Sequence, residues 1–246
     1  MSIQKRKGKW ERSSLGHIDS KRKAHPLNFK AKSIAAHHLI SCEVASKLSS
    51  IRKKQIKYKG YDINHPYNLV FLPMIDQISC QYNVPLHKSG HTDSKLEAYY
   101  AEQSGSNIND EVSNLILERD KETNENKLSL LQGDIDMLNN LKGYHRIVGS
   151  MLAKTLKSLD CDDNSDDFVD SLDELSFDIA TKLGRFQLHL ISRGRHMQSG
   201  QDGCHYCRQD GNRNKHYHIA DNIPTQDYVK EYCYKGLRLY TVQEKA

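Results

Sequence analysis

The chain carries, in order, Ala36-His37-His38-Leu39-Ile40, Asn68-Leu69-Val70-Phe71-Leu72-Pro73 and His87-Lys88-Ser89-Gly90-His91, two histidine-bearing segments flanking an apolar run. Ser33 to Ile40 is short and apolar-leaning, which predicts a strand with the histidine pair at its exposed end. Tyr61 to Pro66 is rich in turn-forming Asp and Asn, and it delivers Asn68 just ahead of the strand-like run Leu69 to Leu72, which Pro73 ends. His87 to Gln103 begins in a glycine-containing turn and becomes helical after Thr92 or Ser94, either of which can cap it. Strand, turn, strand, helix, with imidazoles on the first strand and the helix start, is the frame of a ββα metal finger.

The chemistry follows from the residue types. Imidazole nitrogen suits borderline divalent ions, and a catalytic site keeps fewer protein ligands than a closed structural one so that substrate can enter. His87 and His91, four apart on a turn or helix start, project to one side, and one member of the His37-His38 pair faces them. Adjacent strand residues point to opposite faces, so the pair divides its work: one histidine ligates and the other acts as a base. Phosphodiester hydrolysis needs those parts, a cation against the phosphate and a neutral imidazole that activates water. Asn68 either braces the loop or holds the second nitrogen of the base. A histidine pair alone is more often packing or a cap, and His-x3-His is common by chance. Their joint order favours a metal site.

Around this core the chain reads as soluble and rather polar, with 246 residues, 37% hydrophobic and 27% charged. No apolar run approaches membrane-spanning length, and no secretory signal follows the basic amino terminus. A net charge of +5 conceals segregation. Residues 1–30 form an irregular basic arm, with ten cations from Lys5 to Lys32 against Glu11 and Asp19. That balance suits a polyanion such as nucleic acid. Glu43 to Tyr58 reads as one helix with Val44, Leu48, Ile51 and Ile56 inward and Lys47, Arg52, Lys53, Lys54 and Lys57 outward. Lys53, Lys54, Lys57 and Lys88 are the candidate phosphate contacts.

With the arm set apart, 31–105 makes the metal module and 106–192 a helical region. The latter is expected as two helices over Ile108 to Leu159 broken near Asn124 to Asn126, an acidic linker near 160–167, and a helix around Phe168 to Leu190. The segment 193–246 is rich in Cys and His and then in Tyr. Of six cysteines, Cys42, Cys80, Cys161 and Cys233 stand singly and read as reduced, mostly buried thiols. Cys204 and Cys207 with His216 and His218 can close a structural zinc site, although the spacing is not that of a standard finger.

The quoted residues, together with Gly60-Tyr61-Asp62-Ile63-Asn64 and the Tyr99-Tyr100 pair, resemble the AHH branch of the HNH/endonuclease VII nucleases over about Ala24 to Ala101. The resemblance implies a ββα-metal fold, a single divalent ion (Mg, Mn, Ni or Zn) and DNA hydrolysis. It also implies His37 as a metal ligand, His38 as the general base, and His87 and His91 as completing the metal set. Family members are frequent bacterial toxins delivered by secretion systems such as type VI. That implies a cognate immunity protein, a secretion-apparatus adaptor, and a stay in the producer cytoplasm before signal-peptide-independent delivery into a target cell. The expectation is therefore an α+β, mostly helical protein with a small nuclease finger and a helical C-terminal region, cutting DNA with low sequence specificity. Its rivals are an RNase of the same fold, a non-catalytic zinc-stabilised nucleic-acid-binding protein, and an adaptor whose helical half recruits a partner.

Overall fold

The computed structural model describes residues 22–23, 25, 28, 33–64, 66–159 and 162–210. Most of the basic arm lies outside these residues, as do Cys161, Cys233, His216, His218 and the C-terminal tyrosines.

Strands β1 (Ile34–His38) and β2 (Leu69–Pro73) pair antiparallel, with Ile34 opposite Pro73 and His38 opposite Leu69. All of β2 is buried, so the ribbon is covered rather than exposed. Two strands alone are marginal in water, and the helices supply the missing cover.

Between the strands lie two helices, α1 (Cys42–Lys47) and α2 (Ser50–Tyr58), in place of the single one expected over Glu43 to Tyr58. Leu48 turns extended at ψ 145°, and the Ser49 side chain accepts from the Arg52 amide, so a fresh N-cap restarts the helix. The restart rotates the following face. Arg52, expected among the solvated cations, is buried at 4% exposure, whereas Ile51, expected inward, is 42% exposed.

After β2 comes a short helix, α3 (Asp76–Tyr82), in a connector without a readable pattern, and then α4 (Lys95–Ser104) after the His87–His91 loop. Ile108 to Leu159 forms three helices rather than two: α5 (Ile108–Lys121), α6 (Glu125–Asn140) and α7 (Tyr144–Lys157). The first break falls at Asn124, whose side chain caps α6, and the second at Leu141 to Gly143. Gly143 has φ +57°, and a Cβ there would stand 2.5 Å from the His91 carbonyl oxygen and 2.7 Å from that of Asp93. Only glycine lets the start of α7 approach the histidine loop so closely.

Helix α8 (Ser165–Gly184) is capped by Asn164 and carries Asp166 and Asp167 in its first turn, where carboxylates oppose the helix dipole. The end of the expected acidic linker, residues 165–167, is thus helix. The helix stops short of Leu190 because Phe186 takes φ +58°. A 3-10 segment (Ser192–Met197) and helix α9 (His205–Asp210) complete the described chain.

These elements share one core. Leu39, Val70 and Leu72 from the strand region join Tyr144, Ile147 and Val148 of α7 and Phe168, Leu172 and Ile179 of α8. A mostly helical protein with a small antiparallel sheet is the expected α+β arrangement. None of the described helices is long and apolar enough to cross a membrane.

A buried ion pair locks α2 to the helical layer. Arg52 contacts Asp134 of α6 at 2.9 Å and donates to the Leu156 carbonyl of α7 at 3.0 Å. Removing one partner strands the other charge. Arg52→Ala is expected to cost about 3–5 kcal/mol of unfolding free energy, read from the denaturant midpoint at pH 7. The double variant Arg52→Met/Asp134→Leu should recover most of that loss.

Candidate metal centre

Strand β1, the end of β2 and the loop before α4 bring three imidazoles together. His37 Nδ1 lies 3.1 Å from His87 Nε2, and one nitrogen from each of His37, His87 and His91 falls within 4.8 Å of the others. His87 is set by its own amide, which donates to the Pro73 carbonyl at 2.8 Å. His91 is set through its carbonyl, which accepts from the Tyr144 amide at 2.8 Å. The residues singled out as a metal set in the sequence are thus the residues that converge.

Tyr144 fixes the proton on His37. Its hydroxyl donates to the Leu39 carbonyl at 2.8 Å and stands 3.1 Å from His37 Nε2. A tyrosine hydroxyl has one proton, so toward His37 it accepts, and Nε2 carries the hydrogen. The Nδ1 lone pair therefore points at His87. Two ring nitrogens meeting at 3.1 Å hold either a proton or a cation between them. Nitrogens bound to one tetrahedral zinc would stand roughly 3.3 Å apart, close to the His37–His87 separation.

Burial keeps these rings neutral. It pushes the His37 imidazole well below its usual range, with His87, His91, His38 and His145 adding to the effect. Burial likewise lowers His87 to about 4, and burial with His87 and His145 lowers His91 to about 4. A neutral imidazole is the form that binds metal.

His38 stands next along β1, and Asn64 rather than Asn68 addresses its ring: Nε2 lies 3.0 Å from Asn64 Oδ1. An amide oxygen only accepts, so Nε2 donates and the lone pair sits on Nδ1. Asn68 takes the other role that the sequence left open. Fully buried, it accepts from the Ile40 amide at 2.7 Å and donates to the Ile40 and Ile63 carbonyls at 3.0 and 2.8 Å. Ser176 of α8 donates to the same amide oxygen at 3.2 Å. Asn68 is a positioning residue that bolts the exit of β1 to the turn before β2.

Three residues escaped the sequence reading. Asn64 lay inside a quoted stretch but carried no spacing signal. Tyr144 and His145 follow Gly143 at the start of α7, far along the chain from β1. His145 stacks on His91 with centroids 5.6 Å apart and touches Ser41 Oγ at 2.9 Å, tying the loop to the cap of α1.

Among the lysines proposed for phosphate, Lys54 and Lys57 are exposed on α2, and Lys53 there donates to the Ser46 carbonyl at 2.6 Å. Lys88, in the histidine loop, pairs with Asp76 at 3.0 Å. Cys204 and Cys207 do come together, but with Cys80 of α3; His216 and His218 lie outside the described residues.

A family model described as AHH, a nuclease family of the HNH/ENDO VII superfamily with conserved AHH, matches residues 20–141. The match takes in Ala36-His37-His38, Asn64, Asn68, His87 and His91, and it ends just before Tyr144. No curated protein and no solved structure matches the chain.

Tyr144→Phe keeps the ring and removes the atom that fixes the His37 tautomer. Metal affinity at the cluster is expected to fall about 10- to 100-fold with little change in secondary structure, measured by calorimetric titration and circular dichroism. The lowered imidazoles also set an acid limb. His87 and His91 titrate near 4 when folded and near 6.5 when unfolded, so the unfolded chain binds more protons between those values. Stability of the metal-free protein therefore falls as pH drops from 6.5 toward 4, by about 1 kcal/mol or more per buried imidazole by pH 5. Urea midpoints in a chelator across that range check it.

Proposed function

Because residues 20–141 make this chain a member of the AHH nuclease family, we propose that it is a metal-dependent endonuclease hydrolysing DNA phosphodiester bonds with little sequence preference. The observation that carries this reading is the convergence of the His37, His87 and His91 nitrogens with His38 beside them on the same strand.

Each residue has a task in that chemistry. His37, with its proton held outward by Tyr144, and His87 and His91 would hold the divalent ion through neutral nitrogens. When bound, the ion supplies charge against the phosphate and steadies the leaving oxygen. His38 takes a proton from the attacking water on Nδ1, while Asn64 holds Nε2–H and fixes the ring. Asn68 keeps β1 and its exit loop in register, so that His37 and His38 present opposite sides of the strand. Exposed Lys54 and Lys57, with Lys53, Lys88 and the basic arm, would meet backbone phosphates, which carry no sequence information.

A nuclease with little sequence preference endangers the cell that makes it. The proposal therefore extends to an antibacterial toxin held by a cognate immunity protein in the producer cytoplasm. It would leave by a signal-peptide-independent route with a secretion-apparatus adaptor. The support for that extension is the family resemblance.

Plasmid DNA and a structured RNA incubated with the purified chain in EDTA and in Mg²⁺, Mn²⁺, Ni²⁺ or Zn²⁺ test the reading. Metal-dependent plasmid nicking that EDTA stops is expected. His38→Ala should slow it at least about 100-fold while keeping fold and metal affinity, and His91→Ala should weaken metal binding as well. Full nicking by His38→Ala would remove His38 as the base. Cleavage of RNA alone would change the substrate class, and no cleavage under any metal would leave a non-catalytic nucleic-acid-binding module.

A further inference from the structure

A second cluster stands apart from the imidazoles. Cys80 on α3 meets Cys204, just ahead of α9, and Cys207 within it, although 124 positions separate Cys80 from Cys204. The Sγ atoms of Cys80 and Cys207 are 3.7 Å apart, those of Cys204 and Cys207 are 3.9 Å apart, and all three lie within 4.8 Å of one another. All three side chains are buried, with exposures of 1%, 0% and 3%.

We propose that Cys80, Cys204 and Cys207 hold a zinc ion as three thiolates, and that this ion fastens the C-terminal segment to the helix following β2. Sulfurs bound to one tetrahedral zinc stand roughly 3.8 Å apart, given Zn–S bonds of about 2.3 Å. Disulfide sulfurs are bonded at about 2.05 Å, and three thiols in one pocket cannot all pair. The backbone is built around the sulfurs as well. The Cys204 amide donates to Cys80 Sγ at 3.3 Å, a contact that stabilises sulfur as an anion. Gly203 has φ +82°, and a Cβ there would lie 3.0 Å from Cys80 Sγ and 2.9 Å from Cys207 Cβ, so the loop closes on the cluster only with glycine. Soft thiolates select zinc over the harder ions that carboxylates and water favour.

The position gives the site a purpose. The segment that it anchors runs past the outer side of the histidine loop: Ile191 packs where a Cβ on Gly90 would touch it at 3.4 Å, and Ser192 hydrogen-bonds to Asp93. Arg193 joins Lys88 on Asp76, at 3.3 and 3.0 Å from the same carboxylate oxygen. The zinc thus braces from outside the loop that carries His87 and His91. The pairing differs from the one read in the sequence, where His216 and His218 stood as partners of Cys204 and Cys207 and Cys80 had no part.

The test uses the full chain with His37, His87 and His91 all changed to Ala, which removes the other metal-ligand cluster found among the described residues. Elemental analysis after gel filtration should give about one zinc per chain. Cobalt substitution should give the near-ultraviolet thiolate charge-transfer band, and adding Cys80→Ser should cut that band by about a third or abolish binding. Because Cys80→Ser can also impair folding, alkylation of the unaltered chain mapped by mass spectrometry provides a second reading. Zinc should protect Cys80, Cys204 and Cys207 until a strong chelator is added, while exposed Cys42 reacts throughout. No zinc in the triple-histidine variant, a cobalt band indifferent to Cys80→Ser, or equal alkylation with and without zinc would each overturn the proposal.

Discussion

Bringing three imidazole nitrogens within 4.8 Å of one another constrains everything around them. Each ring must stay neutral and turn a lone pair inward, which means that its proton must be engaged or sheltered on the far side. For His37 the chain meets the demand with a single hydroxyl: because Tyr144 gives its only proton to Leu39, it can only receive from His37. The two strands supply His37 and the anchor for His87, but the orientation of the cluster comes from α7. A helix more than a hundred residues downstream therefore belongs to the centre as much as the strands do.

The same division recurs in the polar groups buried elsewhere. Arg52 and Asp134 are almost fully enclosed, an arrangement that gains little net energy but fixes which faces of α2 and α6 meet. Asn68 spends both ends of its amide on backbone and on Ser176, leaving the β1 exit without an unsatisfied group at its centre. The ion pair joins α2 to α6, and Ser176 joins the turn before β2 to α8. The ribbon, too small to stand alone, is held in register by those helices.

Local patterns made much of this legible. The histidine pair and the His-x3-His ending pointed to the three histidines that converge, because ligand spacing is a short-range property. Strand limits followed from an apolar run and Pro73, and α6 and α8 followed from helical periodicity. The failures have physical causes. The break at Leu48-Ser49 interrupts a pattern that stays roughly periodic across it, so a second cap was hidden and Arg52 fell on the wrong face. Helix α3 is too short and polar to show a stripe. The turn at Gly143 is dictated by the His91 carbonyl, a contact that no window around residue 143 contains. Tyr144, Asn64 and Cys80 acquire their partners only through tertiary pairing, and single residues of those types carry no signal alone.

The close approach at Gly143 has a thermodynamic side. The start of α7 rests on the backbone of His91 to Asp93, and Glu97 of α4 receives the Gly143 amide at 2.7 Å and the Arg146 guanidinium at 2.8 Å. Loop and helix therefore order together. Any ion favouring the ordered loop favours the helix by the same free energy, growing with the logarithm of ion concentration above the dissociation constant. Occupancy at the imidazoles and cohesion of the helical layer become two readouts of one equilibrium, so a substitution deep in the layer would register as weaker ion binding without touching a ligand.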